Sequence, residues 1–225
     1  MFRIGFVAVA AIFLSSCDQT SGGLAPSPNT VVQRLGYDAV ALPSTAYGPG
    51  SLVTSVKGSG LKSPLKLTYL CRPDFTNAPK PIVDVAASSE ASRQFNGTFK
   101  LDATALAELG ISAGLDNVES VTMKFNNVKI EQLGFEDLAS IRAGLGPNCA
   151  EILREFSRKK IAYQTKQAIR ADVVYTANFK RGASAEAKSV TIGALKAAFG
   201  GSVQSDSSSS LQGSGLYYGL LLTDI

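Results

Sequence analysis

From Ile161 to Phe179 the odd-numbered positions carry Ile161, Tyr163, Ile169, Val173, Tyr175 and Phe179, an alternation sustained over nineteen residues. At about 3.3 Å per residue an extended segment of that length spans roughly 63 Å, far beyond a usual strand. Such a segment must bend strongly, break in two, or begin as the end of a preceding helix. Whatever else the chain builds has to accommodate it.

Other segments supply possible partners. Ser51–Val56 and Leu65–Cys71 read as strands joined through the turn residues Lys57-Gly58-Ser59-Gly60. Upstream, Val31 to Leu42 has apolar residues at mixed spacing and reads as a short helix. In Val118–Glu131, the side chains Val121, Met123 and Phe125 share one parity, and Val128 and Ile130 the other. A slip at Asn126-Asn127, by a β-bulge or a tight turn, is required to keep all five on one face. Gly134–Leu145 and Asn148–Lys160 read as helices parted by Gly146-Pro147. The second carries Cys149, Ile152, Leu153 and Phe156 at helical spacing, with Glu151 and Glu155 early and Arg158, Lys159 and Lys160 late, as the helix dipole favours. Glu136-Asp137 is read in the same way, as the first turn of its helix.

One internal similarity organises the middle of the chain. Phe95-x-x-x-Phe99-Lys100-x-x-Ala103-Thr104-Ala105 recurs as Tyr175-x-x-x-Phe179-Lys180-x-x-Ala183-Ser184-Ala185, an offset of 80 residues. In each copy an alternating strand ends at Phe-Lys and a turn opens an alanine-rich helix. The first apolar side is Phe95, Gly97, Phe99 and Leu101, and its helix stops at Gly110. The second helix runs from about Ala185 to Phe199 on a face of Ala187, Thr191, Ala194, Leu195 and Ala198, and Gly200-Gly201 ends it. Strand material follows both, Val118–Glu131 and Ser202–Leu222. The expected fold is α+β, a largely antiparallel sheet with helices on one face, formed as a single domain over 31–225 from two related β-α-β halves at about 51–133 and 134–225.

Composition narrows the chemistry. At 45% apolar and 18% charged residues, the body can bury a substantial core. The formal charge of +4 is too small and dispersed for nucleic-acid binding. Histidine is absent, which removes Ser-His-Asp and Cys-His catalysis and histidine-containing zinc sites together. Tryptophan is absent too, against a sugar-stacking site. No metal-ligand cluster and no cofactor motif is found. Gly213-Ser214-Gly215-Leu216-Tyr217-Tyr218-Gly219 approaches a dinucleotide loop but has the wrong last spacing and no following helix. Ser63-x-x-Lys66 and Ser157-x-x-Lys160 match the Ser-x-x-Lys of penicillin-binding proteins and β-lactamases, without the accompanying Ser-Asp-Asn and Lys-Thr-Gly elements. The chain is therefore read as non-enzymatic.

At the amino end Arg3 precedes an apolar and small-residue run, Ile4 to Leu14, too short for a permanent membrane span. It reads as a secretory signal over 1–16. Its closing Leu14-Ser15-Ser16-Cys17 resembles the lipobox of bacterial lipoproteins. The resemblance implies cleavage before Cys17, acylation of Cys17 and attachment to the membrane by several acyl chains, enough for stable anchoring. The Ser-, Gly- and Pro-rich 17–30 would then be a flexible tether, and the mature formal charge +3, from 21 basic and 18 acidic side chains after loss of Arg3. Asp18 resembles the enterobacterial signal for retention in the inner membrane. Tyr47-Gly48-Pro49-Gly50-Ser51-Leu52-Val53 with Tyr69-Leu70-Cys71 looks like a pattern in uncharacterised proteobacterial lipoproteins. The body would face the periplasm.

In that oxidising compartment Cys71 and Cys149, 78 residues apart, are expected to form a disulfide. The expected role is a non-catalytic binding or scaffolding module of the cell envelope, for a lipid, a peptide or an envelope protein. Two alternatives stand beside it. One is a membrane-active or pore-forming protein using the hairpin of 201–222, whose blander reading completes the sheet with Leu216, Tyr218, Leu220 and Leu222 in the core. The other is a Ser-Lys hydrolase at Ser63 or Ser157.

Overall fold

The computed structural model describes residues 26–108, 115–199 and 203–225. The long alternation is one strand, β7 (Tyr163–Phe179), and it is the hub of a nine-stranded sheet among the described residues. On one side β7 pairs antiparallel with β9 (Ser210–Asp224) along nearly its whole length. On the other it pairs first with β2 (Leu52–Ser55) at Tyr163 and Gln164, then with β6 (Val118–Gln132) from Gln167 to Phe179. Short strands extend each flank. β3 (Leu67–Cys71) pairs with β2, while β4 (Ile82–Asp84) and β5 (Thr98–Asp102) line the outer side of β6. β1 (Asp38–Ser44) and β8 (Val203–Ser205) line the outer side of β9. The ladders are antiparallel, with one isolated parallel bridge, Val40 to Leu65. The protein is thus an α+β fold on a largely antiparallel sheet.

A 17-residue strand survives because its register slips. Against β9 it shifts between Thr165 and Gln167, between Ile169 and Arg170, and between Ala171 and Val173. Each slip adds local twist, so the strand bends instead of running straight. One consequence corrects the sequence reading. Ile169, Val173 and Tyr175 point into the main core, whereas Tyr163 joins a second cluster with Ala168 and Leu220. A strict alternation cannot show this, because the slip near residue 166 exchanges the faces. β9 divides likewise: Leu216 and Tyr218 lie in the main core, Leu220 and Leu222 in the second cluster. In β6 the slip falls between Asn126 and Lys129, with Asn127 at φ 51°, so Phe125 and Val128 both enter the main core.

The main core is covered by α1 (Pro28–Arg34), α2 (Val85–Gln94), α3 (Ala103–Glu108) and α6 (Ala185–Phe199), which bring in Val31 and Val32, Ala91, Leu106, and Ile192 and Leu195. Phe95, Phe99, Phe125 and Tyr218 form its aromatic centre, with ring centroids 4.8–6.0 Å apart. The helix expected over 31–42 is corrected. α1 ends at Arg34, Gly36 takes φ 86°, and Asp38–Ser44 is strand. Phe95 also proves to be the C-cap of α2, not a strand residue. The turns at Gly110 and Gly200-Gly201, and the 1–25 segment with Cys17, lie outside the described residues.

α4 (Phe135–Ala143) and α5 (Pro147–Arg158) close the end of the sheet near β2. Gln164, fully buried, donates to the carbonyls of Gly50 and Leu138 and accepts from Arg142. Leu153 of α5 packs with Leu52 and Ala162, whereas Ile152, expected inward, is 39% exposed. The repeated motif falls on two strand-helix-strand connections that differ in pairing: in β5-α3-β6 the strand after the helix pairs antiparallel with the strand before it, whereas after α6 the next strand, β8, pairs with β9, and it is β9 that returns along β7.

Candidate functional site

The segment Tyr47-Gly48-Pro49-Gly50 leaves β1 and returns to the sheet at β2. Two of its residues are glycine where a side chain would crowd a neighbour or strain the backbone. A Cβ on Gly48 would stand 2.6 Å from the Tyr217 hydroxyl, and one on Gly50, whose φ is 91°, would stand 2.7 Å from Ile141 Cδ1. The close approach lets the Gly50 N–H donate to the Thr165 carbonyl at 2.7 Å. Ala46 receives two hydroxyl donors at its carbonyl, from Ser51 at 3.2 Å and from Tyr69. Tyr47 donates to the Leu67 carbonyl at 3.0 Å, and its ring lies 5.5 Å from that of Tyr69.

Between this segment and the loop 72–81 opens a cleft of about 470 Å³, walled by Tyr69 and Tyr217 on the sheet side and by Arg72, Phe75 and Lys80 on the loop side. Its floor is rigid. Tyr217 donates to Glu131 Oε2 at 2.9 Å, and Arg170 donates to Glu131 Oε1 at 2.9 Å. Glu131 is only 8% exposed, so both of its oxygens are held by charged or phenolic donors. Burial, then the Glu131 charge, pushes the Tyr217 hydroxyl well above the usual tyrosine range. Burial raises Tyr69 as well, partly offset by a hydrogen bond with Ser51 and by the nearby Arg72 guanidinium. Both phenols therefore stay protonated around neutral pH and act as hydrogen-bonding groups. No carboxylate lines the cleft among the described residues, while Arg72 and Lys80 do.

The structure brings some of the residues singled out in the sequence together and leaves others apart. Cys71 at the end of β3 and Cys149 in α5 are joined as a disulfide, with Cα atoms 5.8 Å apart, tying α5 to the sheet beside the cleft. Neither Ser-x-x-Lys match forms a hydrogen-bonded Ser-Lys pair among the described residues. Ser63 Oγ accepts from Gln33 at 3.2 Å, and Ser157 Oγ donates to the Leu153 carbonyl at 2.8 Å within its own helix. Asp137 accepts from the Gly134 N–H at 3.0 Å, a helix-start role. Gly213–Gly219 lies within β9. The 201–222 hairpin corresponds to β8 and β9, and β9 lies between β7 and its short neighbours β1 and β8. Among the described residues no group of three or more potential metal ligands occurs, and no helix is long and apolar enough to cross a membrane.

Sequence reasoning missed Glu131, Arg170 and Tyr217, which come together only through the β6-β7-β9 register. It also passed over Arg72, Phe75 and Lys80. Their signal was the run Arg72-Pro73-Asp74-Phe75 to Lys80-Pro81, a proline-punctuated loop with two cations and an aromatic ring.

No family model matches the chain, and no curated protein matches it. Among solved structures, a bacterial gasdermin from Bradyrhizobium tropiciagri is similar at 13% identity over 88% of this chain and 86% of that chain, with a TM-score of 0.38.

Proposed function

We propose that the chain is a non-catalytic binding module of the bacterial cell envelope, tethered through acylated Cys17 and facing the periplasm, with the cleft beside Tyr217 as its working surface. The observation that carries this reading is the cleft itself. A Cβ at Gly48 would crowd the Tyr217 ring that forms the wall, and hydrogen bonds to the buried Glu131 carboxylate hold that ring in place. A preformed concave site with aromatic walls and a few placed polar groups is the usual form of a small-ligand site. The aspartate after Cys17 favours the inner membrane.

Native mass spectrometry of the full-length chain, extracted from its membrane in mild detergent, tests both parts. The expected spectrum shows an acylated amino terminus and a small-molecule adduct that is absent from Thr45→Trp, which enlarges an exposed cleft-lining side chain. An adduct retained by that variant places the ligand elsewhere. A chain that begins at Met1 without acyl groups removes the tether.

Membrane action is a second reading, favoured by one observation. Ile82 and Val83 of the edge strand β4, Val85 at the start of α2 and Phe135 at the start of α4 are between 44% and 77% exposed. An exposed apolar group of this kind marks a contact surface. Release of a dye from vesicles by the purified chain, lost in Val85→Glu/Phe135→Glu, is the outcome this reading requires.

A further inference from the structure

The loop between β2 and β3 has an unusual charge arrangement. Lys57, Lys62 and Lys66 are all exposed and line one hollow of about 430 Å³, together with Val56 and Leu61. No carboxylate lines it among the described residues. Lys57 sits at φ 72°, followed by Gly58 at φ 63°, so the chain turns sharply at the first lysine. Val56 is 45% exposed beside it, an apolar side chain left in water at the rim.

The loop is fixed close to where the chain enters the domain. Gln33 of α1 donates to Ser63 Oγ at 3.2 Å. The Leu65 N–H donates to the Ala39 carbonyl at 2.6 Å, and the Ala41 N–H to the Leu65 carbonyl at 2.9 Å, binding the loop to β1. α1 begins at Pro28 under a Ser27 cap. Nine residues, 18–26, separate that cap from Cys17, a reach of at most about 35 Å. A further cation, Lys160, lies at the same end, while Lys159 beside it is paired with Glu155. Gly58 abuts Ile161, which follows Lys159 and Lys160 at the end of α5. The carboxylates on neighbouring elements do not cancel the hollow. Glu155 is paired with Lys159, and Asp38 and Asp224 lie outside the lining.

We propose that this loop is a phosphate-binding site for the headgroups of anionic lipids, which seats the tethered domain on its own membrane with the β2–β3 end down. The inference rests on the Cys17 tether, which keeps the loop within reach of the bilayer surface. Three ammonium groups around one hollow attract phosphodiesters, each of which carries one negative charge. Val56 and Leu61 supply apolar contact with the region just below the headgroups. The cleft at Tyr217 is left open to the periplasm for its ligand.

The test uses the full-length acylated chain reconstituted in vesicles of phosphatidylcholine, alone or mixed with phosphatidylglycerol. A nitroxide is placed on the loop through Ser59→Cys or, as a control, on the β8–β9 turn through Ser208→Cys. In the mixed vesicles the loop label is expected to become shielded from an aqueous nickel chelate, and the control label to be unchanged. Each of Lys57→Gln, Lys62→Gln and Lys66→Gln should lower the docked-to-free ratio about fivefold, and the triple variant about a hundredfold, at about 1 kcal/mol per cation near an anionic surface. An acylated, folded chain whose loop label is equally accessible on both vesicles overturns the headgroup site and leaves the tether intact. A chain without acyl groups on Cys17 overturns the tether first, and mass spectrometry of the amino-terminal peptide separates that case. Inorganic phosphate distinguishes the source. If its phosphorus signal is broadened by the loop label on pure phosphatidylcholine vesicles, while phosphatidylglycerol has no effect, the site takes soluble phosphate and the lipid assignment fails.

Discussion

The Tyr217 hydroxyl donates to Glu131 Oε2 at 2.9 Å, across the intervening strand that carries Arg170. Three adjacent strands, β6, β7 and β9, each contribute one member to this network, so the cleft wall is positioned by the most extensively paired part of the sheet. Tyr217→Phe keeps the ring and removes one donor from a carboxylate that is only 8% exposed. Losing a partner of a buried acceptor costs about 1–3 kcal/mol. A matching fall in the urea midpoint at constant m-value is expected. Any ligand retained by the cleft should bind more weakly, because the ring at position 217 gains freedom to rotate.

Alkaline pH provides a second handle. Tyr175 and Tyr218 share a hydrogen bond of 2.8 Å in the core and are 1% and 4% exposed. Burial raises both well above the usual tyrosine range, and the partner phenol raises Tyr218 further. Above about pH 10, the ordinary tyrosine value, the unfolded chain releases these protons while the folded chain keeps them. The stabilisation is therefore complete below that pH and is lost as pH rises beyond it. Absorbance at the phenolate band should show the buried tyrosines ionising only together with loss of near-ultraviolet circular dichroism. Ionisation of all seven tyrosines in a still-folded protein contradicts this burial.

The disulfide between Cys71 and Cys149 closes a loop of 78 residues and joins α5 to β3. In the chain-entropy picture a loop of that length stabilises the fold by about 4 kcal/mol. Cys71→Ser/Cys149→Ser should lower the melting temperature by many degrees and loosen α5 first, because Leu153 is its main buried anchor. Thiol labelling of the denatured, unreduced body should find neither of these two sulfurs free.

Much of this fold was legible where side-chain pattern and backbone agree. The boundaries of α6 and β6, and the helix pair at 135–158, follow from spacing and from glycine and proline punctuation. The bulge at Asn126-Asn127 was readable because the apolar parity changes there, and only a slip keeps Phe125 and Val128 on one face. The slip near residue 166 was hidden because Thr165 and Gln167 carry no apolar signal, so Tyr163 seemed to share a face with Ile169. α2 escaped notice for a related reason. Its sequence is mostly Ala and Ser, it buries only Ser88 and Ala91, and it is held by the Asp84 cap and by Ser88 Oγ accepting from the Ile130 N–H at 2.8 Å. The cleft was the least legible feature, since Glu131, Arg170 and Tyr217 meet only once the sheet register is known.

The bulge offers a last test of what bends the sheet. Asn127 holds φ 51°, and its Nδ2 donates to Asp172 Oδ2 at 2.6 Å, while Asp172 Oδ1 accepts from the Gly215 N–H at 2.7 Å. One carboxylate on β7 thereby pins the slip in β6 on one side and a left-handed glycine of β9 on the other. Asn127→Gly removes the side-chain bond but suits the backbone. Asn127→Val removes the same bond and adds a β-branched residue to a left-handed site, at about 1–3 kcal/mol of strain. The valine variant should therefore be the less stable of the two by that margin, and Asp172→Ala should loosen both bulges at once. Faster amide exchange at Lys129 and at Leu216 in Asp172→Ala, with exchange at Leu101 unchanged, is the expected signature. Equal stability of the Gly and Val variants would mean that the slip is set by packing of Phe125 and Val128, and not by the backbone at Asn127.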